Sequence, residues 1–97
     1  MLRNVTITPL ELQETNICTA APDEEIVVFS LLATAGLNGS EITFAIGDYT
    51  MTFTVAEDDT IILDHKIVVP SGKSLTVTAD NAGVKISASY MVNAVVY

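Results

Sequence analysis

Ninety-seven residues make one folded unit, too short for two independent cores, which excludes a multidomain enzyme. A hydrophobic fraction of 49% and a mean hydropathy of +0.47 exclude a disordered chain, because the apolar surface suffices to offset the entropy of ordering. Twelve acids against four bases, a formal charge of −8, exclude a nucleic-acid binder, which needs clustered Lys and Arg.

Arg3, Lys66, Lys73 and Lys85 form no run, and no apolar stretch approaches the ~20 residues that span a bilayer. We therefore expect a soluble protein with neither nucleic-acid nor membrane partners. Met1-Leu2-Arg3-Asn4 lacks the apolar segment and cleavage site of a secretory signal, so synthesis in the cytoplasm and a mature start at Met1 are expected. Asn4-Val5-Thr6 and Asn38-Gly39-Ser40 match the glycosylation pattern, and without a signal they read as chance matches.

Twelve Thr, eleven Val and nine Ile make a third of the chain β-branched, a composition that suits pleated, half-buried surfaces. Almost no helix is predicted. Val5-Thr6-Ile7 and Asn16-Ile17-Cys18 read as two weak strands on either side of Pro9. Glu25 to Ala33 is apolar almost throughout and predicts a strand buried on both sides. Asn38-Gly39 suits a type I′ hairpin and Gly47-Asp48 a type II′ hairpin, which together predict a three-stranded meander over Glu25 to Val55. Within it, Ile42, Phe44 and Ile46 share one face, and Tyr49, Met51, Phe53 and Val55 alternate with three Thr.

Thr60 to Val69 reads as an extended run with a bend or bulge at Asp64-His65. Pro70-Ser71-Gly72-Lys73 predicts a turn with Pro second and Gly fourth. Ser74 to Ala79 alternates again, Asp80 to Gly83 turns, and Val84 to Tyr97 forms a final apolar run that belongs in a sheet. The sum is one domain over residues 1–97, an all-β antiparallel β-sandwich, jelly-roll-like, with about seven or eight strands.

Chemistry is sparse. A lone Cys18 excludes an internal disulfide and reads as a packed thiol. His65 beside Asp64, with Asp59 nearby, supplies too few ligands for a metal centre, and Asp23-Glu24-Glu25 and Glu57-Asp58-Asp59 read as solvated loops because adjacent acids diverge on extended chain. No nucleophile, phosphate-loop or zinc motif occurs, so no enzyme, cofactor or metal is expected. A carbohydrate-binding module for host attachment is the alternative from another class, although sugar platforms favour aromatics and the chain has no Trp and only Tyr49, Tyr90 and Tyr97.

In the final run Ile86, Ala88, Tyr90, Val92, Ala94 and Val96 share one face, while Met91, Val95 and Tyr97 lie on the other. An end apolar on both faces predicts a subunit or capsid interface at Tyr90, Val92, Val95, Val96 and Tyr97.

The stretch Thr60-Ile-Ile-Leu-Asp-His-Lys-Ile-Val-Val-Pro-Ser-Gly-Lys-Ser-Leu-Thr-Val-Thr-Ala-Asp-Asn-Ala-Gly-Val-Lys-Ile-Ser-Ala-Ser-Tyr90 resembles the C-terminal half of small virion structural proteins of tailed bacteriophages. The likeness lies in a Leu-Asp-x-Lys segment, a Pro/Gly turn, a Leu-Thr-Val-Thr-Ala strand and a final Ile-Ser strand, with Pro70-Ser71-Gly72-Lys73-Ser74 standing where many relatives carry Gly-Asp. The resemblance implies a virion location, a capsid decoration (cement) role or else a neck, tail or fibre role. It also implies a jelly-roll-like fold, a homotrimer, and the major capsid protein or another virion protein as partner.

Overall fold

The computed structural model describes residues 2–63 and 66–95. Nine strands form among them: β1 (Leu2–Ile7), β2 (Thr15–Thr19), β3 (Glu24–Thr34), β4 (Ser40–Ile46), β5 (Tyr49–Val55), β6 (Thr60–Leu63), β7 (Ile67–Val69), β8 (Ser74–Ala79) and β9 (Lys85–Ala94). All named strand pairs are antiparallel.

They divide into two sheets. One has the order β1-β9-β3-β6, with β7 also on β3; the other has the order β2-β8-β4-β5. β6 pairs with the Leu31–Thr34 half of β3 and β7 with the Ile26–Val28 half, so these two short strands share one position along the same edge. With that position counted once, the chain alternates between sheets except at the β4–β5 hairpin. These two orders together make an eight-position jelly roll. The bend expected at Asp64-His65 lies outside the described residues.

Between the sheets sit Ile26, Val28, Leu31 and Ala33 from β3, Ile42 and Phe44 from β4, Leu75, Val77 and Ala79 from β8, and Ile86 and Ala88 from β9. Phe44 is fully buried and meets Phe53 edge-on, with ring centroids 6.2 Å apart. Period-two alternation accounts for β4, β5 and β8: their larger apolar residues face in, joined by the buried Ser40, and their Thr residues line the other side. Thr43 and Thr52 hydrogen-bond across that outer face at 3.0 Å.

β3 departs from simple alternation. Its core residues are even-numbered at Ile26 and Val28 and odd-numbered at Leu31 and Ala33. The change of parity is a β-bulge, because Val28 pairs with Tyr90 while Ser30 pairs with Ser89, which leaves Phe29 unpaired against β9. Phe29 is pushed outward and is 45% exposed, so the expectation of a strand buried on both sides fails at this residue.

Two turn expectations are corrected. Asn38-Gly39 is not a hairpin tip, because β3 and β4 belong to different sheets and the chain crosses between them there. Gly39 N–H donates to Gly36 O at 3.3 Å, which places Leu37 and Asn38 at the turn centre, and Gly39 then takes φ +67° as the chain enters β4. The β3–β4–β5 meander is therefore replaced by a crossover followed by one hairpin. At the second turn Lys73 N–H donates to Pro70 O at 3.0 Å, so Pro70 is first and Gly72 third. Gly72 has φ +76°, the third-position value of a type II turn. The Gly47-Asp48 hairpin forms as expected, with Ile46 opposite Tyr49 and Gly47 at φ +59° opening the two-residue loop.

Candidate interaction surface

The antiparallel register builds a continuous apolar row across the outer face of the larger sheet. Leu2 of β1 pairs with Met91 of β9, Met91 with Val27 of β3, and Val27 with Val68 of β7. Each of the four alternates with residues that pack on the core: Val5 and Ile7 on β1, Tyr90 and Val92 on β9, Ile26 and Val28 on β3, Ile67 and Val69 on β7. Leu2 is 60% and Val68 42% exposed, whereas Val27 at the centre of the row is only 7% exposed because its apolar neighbours flank it. Leu32 opposite Ile62 adds a second apolar pair on the same side, and Ile62 is 65% exposed.

Polar rungs occupy much of the rest of this face, with Glu25 and Lys85 as its charges towards opposite ends of β3 and β9. Ser89 Oγ donates to Asn4 Oδ1 at 2.6 Å, Thr34 and Thr60 share a hydrogen bond of 2.9 Å, and Thr6 and Ser87 one of 3.4 Å. These side chains link strands while carrying no charge. The result is a largely neutral, partly apolar sheet face on an acidic chain.

The sequence-predicted interface residues fall in three groups. Tyr90 and Val92 are half-buried and pack against the core between the sheets. Val95 is half-buried beyond the end of β9, where its N–H donates to Asp23 O at 2.8 Å. Val96 and Tyr97 lie outside the described residues. Leu2, Val27 and Val68, which line the outer row, were not singled out by the sequence. The one signal for them was the alternation of Val68 between Ile67 and Val69, but which residues meet across strands depends on register.

A cleft of about 520 Å³ opens between the sheets at the side where β5 and β7 form their edges. Ile46, Tyr49 and Met51 line it from one sheet, and Lys66, Ile67, Val68 and Pro70 from the other. Tyr49 is 69% exposed at its mouth. The described lining is apolar apart from the Lys66 ammonium and the Tyr49 phenol.

The remaining reactive groups have structural surroundings. Burial pushes the Cys18 thiol up to about 11, despite a hydrogen bond with the Leu75 backbone. Asp80 Oδ1 accepts from Glu41 N–H at 2.8 Å and from Ser40 Oγ at 2.9 Å, contacts that hold its carboxyl below the ordinary carboxylate value. Asp59 Oδ1 accepts from Thr60 N–H at 2.9 Å, and Glu24 Oε1 from Ala21 N–H at 3.4 Å, so these acids brace their own loops. Among the described residues no three His, Cys, Asp or Glu side chains converge on a metal position; Asp64 and His65 fall outside them.

No family model matches the chain, and no curated protein matches it. Two solved structures of a pentameric capsid protein isolated from metagenomic phage sequences, one of them phased by iodide SAD, are similar to it. Both align with a TM-score of 0.49 and 16% identity over 92% of this chain, and cover 59% and 60% of their own chains. The chain thus spans about 60% of the length of the proteins it matches.

Proposed function

We propose that the chain is a non-enzymatic bacteriophage virion protein, a capsid decoration subunit that binds the head through its sheet surfaces. The observation that carries this reading is the pair of interleaved sheet orders, β1-β9-β3-β6/β7 and β2-β8-β4-β5. Jelly rolls of this kind serve as viral capsid and lectin domains, and a fold alone does not choose between them. Two features favour the virion. The chain has no Trp to form a sugar platform, and an apolar row with Leu2 and Val68 exposed at its ends crosses a sheet face, which suits contact with another β surface. The resemblance of Thr60 to Tyr90 to small tailed-phage virion proteins points the same way.

In this reading the chain is made in the host cytoplasm and assembles, as a trimer by the resemblance, on the major capsid protein. The Leu2–Met91–Val27–Val68 row and Val95 lie at the contact, with Tyr90 and Val92 backing the row from the core side; the expectation for Val96 and Tyr97 lies outside the described residues. The test is a cryo-EM map, with mass spectrometry, of purified particles that carry the gene. The chain is expected at regular positions on the head exterior. Its absence from the particles would refute a virion role, and density confined to the neck or tail would refute decoration.

A further inference from the structure

We infer that β5 is an open docking edge for a second copy of this chain, which adds its own β5 antiparallel across a two-fold axis at Thr52. This contact stands on the strand edges alone and does not depend on the virion reading.

Four strand positions end the two sheets, and three of them carry features that discourage further pairing. β2 is bulged between Asn16 and Cys18. The β6/β7 position is split into strands of four and three residues, with Lys66 preceding the second. β1 carries Arg3. β5 differs from all of these: seven residues, Tyr-Thr-Met-Thr-Phe-Thr-Val, with no charge, no proline and a register against β4 free of any shift. An unblunted edge of that length offers a row of backbone donors and acceptors to an incoming strand.

The strand is complementary to itself. In the antiparallel alignment that pairs all seven residues, Thr52 faces its own counterpart, Thr50 faces Thr54, Met51 faces Phe53, and Tyr49 faces Val55. Thr50, Thr52 and Thr54 are all exposed on the outer side, while Met51 and Phe53 are half-buried on the core side. Like therefore meets like: threonine pairs continue the Thr78–Thr43–Thr52 row of the outer face, and the Met–Phe pairs extend the apolar interior.

Charge selects the antiparallel direction. Beyond Val55 lie Glu57, Asp58 and Asp59; beyond Tyr49 lie the single acid Asp48 and then Gly47, where an added Cβ would stand 4.0 Å from Lys73 Cδ. Lys66 lines the cleft beside Tyr49 and Met51. Antiparallel pairing carries the three acids of each copy to the end of the other where Lys66 and Lys73 outnumber Asp48, twice by symmetry, whereas parallel pairing would set the two three-acid loops against each other. A contact of one seven-residue edge is smaller than the standard protein interface of about 1,600 Å², so association should be weak and concentration-dependent.

Two measurements decide the matter. Sedimentation velocity over roughly 1–500 μM, the range of a weak pair, should show the wild-type mass doubling, and added salt should shift that transition to higher concentration. Thr52→Lys places two like charges opposite each other at the axis on an exposed position and should halve the high-concentration mass while leaving the β circular dichroism spectrum unchanged. If that variant misfolds, cross-linking decides without disruption: Thr52→Cys should form a disulfide dimer on mild oxidation much faster than Thr50→Cys, because only position 52 meets itself. A wild-type chain that keeps one mass throughout, a Thr52→Lys variant that is folded but keeps the wild-type mass, or equal cross-linking at 50 and 52 would each overturn the inference.

Discussion

Ser40 Oγ donates to Asp80 Oδ1 at 2.9 Å, and the same oxygen takes the Glu41 N–H at 2.8 Å, so one carboxylate at the end of β8 fixes the first two residues of β4. Asp80 N–H returns a bond to Glu41 O at 3.2 Å, and Asn81 Nδ2 reaches Gly39 O at 2.9 Å. This cluster secures the crossover from one sheet to the other. Because those donors favour the ionised form, the Asp80 carboxyl titrates lower in the folded chain than in the unfolded one. Its contribution is complete at pH values above the unfolded carboxylate value and is lost as pH falls through the lowered folded value. Melting temperature measured from pH 7 to pH 2 should therefore fall less steeply in Asp80→Asn than in the wild type, from a lower starting point. Identical slopes would remove Asp80 from the acid response.

Gly39→Ala should be costly. Gly39 holds φ +67°, and a Cβ there would stand 2.9 Å from Val55 O, a backbone atom that cannot step aside. The left-handed backbone alone costs an alanine about 1–2 kcal/mol, and the clash adds to it. Urea unfolding should show a loss of about 2 kcal/mol or more, with the midpoint lowered. Gly72→Ala separates the two terms, since Gly72 has φ +76° but no neighbour within 4 Å; its loss should be the smaller.

A core substitution and an outer-face substitution should differ sharply. Phe44→Ala removes a fully buried ring between the sheets and should cost about 3–5 kcal/mol. Ile62→Ser acts on a side chain that is 65% exposed and should stay within about 0.5 kcal/mol in the isolated chain. Comparable losses in denaturant unfolding would contradict the placement of Ile62 on the outer face.

Cys18 should resist alkylation in the native state. Its thiol, raised to about 11, holds very little thiolate at pH 8, and the side chain is buried. Iodoacetamide labelling followed by mass spectrometry should be slow in buffer and rapid in denaturant. Fast native labelling would show that β2 opens readily.

The strands that were legible in the sequence are those whose alternation is unbroken. Ile42–Phe44–Ile46 and Leu75–Val77–Ala79 each keep one parity, and both strands lie where period two puts them. β3 was harder to read, because Ile26, Val28, Leu31 and Ala33 change parity at Phe29, and a bulge looks like a uniformly apolar run when its partner strand is unknown. Asn38-Gly39 misled for a related reason: a turn signal reports that the chain bends, whereas Asp80 and Asn81, distant in sequence, hold the strand that follows in the other sheet. The apolar row has the same character. Leu2, Met91, Val27 and Val68 are far apart along the chain, and only the register between strands brings them into line.

That register also dictates an order of events during synthesis. β3 pairs with β9 over nearly its whole length, and β1 has its described strand partner in β9 alone. Neither can complete its hydrogen bonding until residues near position 90 leave the ribosome. At about 5–20 residues per second, Leu31 waits roughly 3–12 seconds for Ala88, its partner on β9. During that interval an apolar strand is without its principal neighbour, which makes translation speed over β4 to β8 and the availability of a holding chaperone direct controls on yield. A chain cut off before β9 should aggregate, and co-expression of a holding chaperone should raise the soluble yield of the full chain.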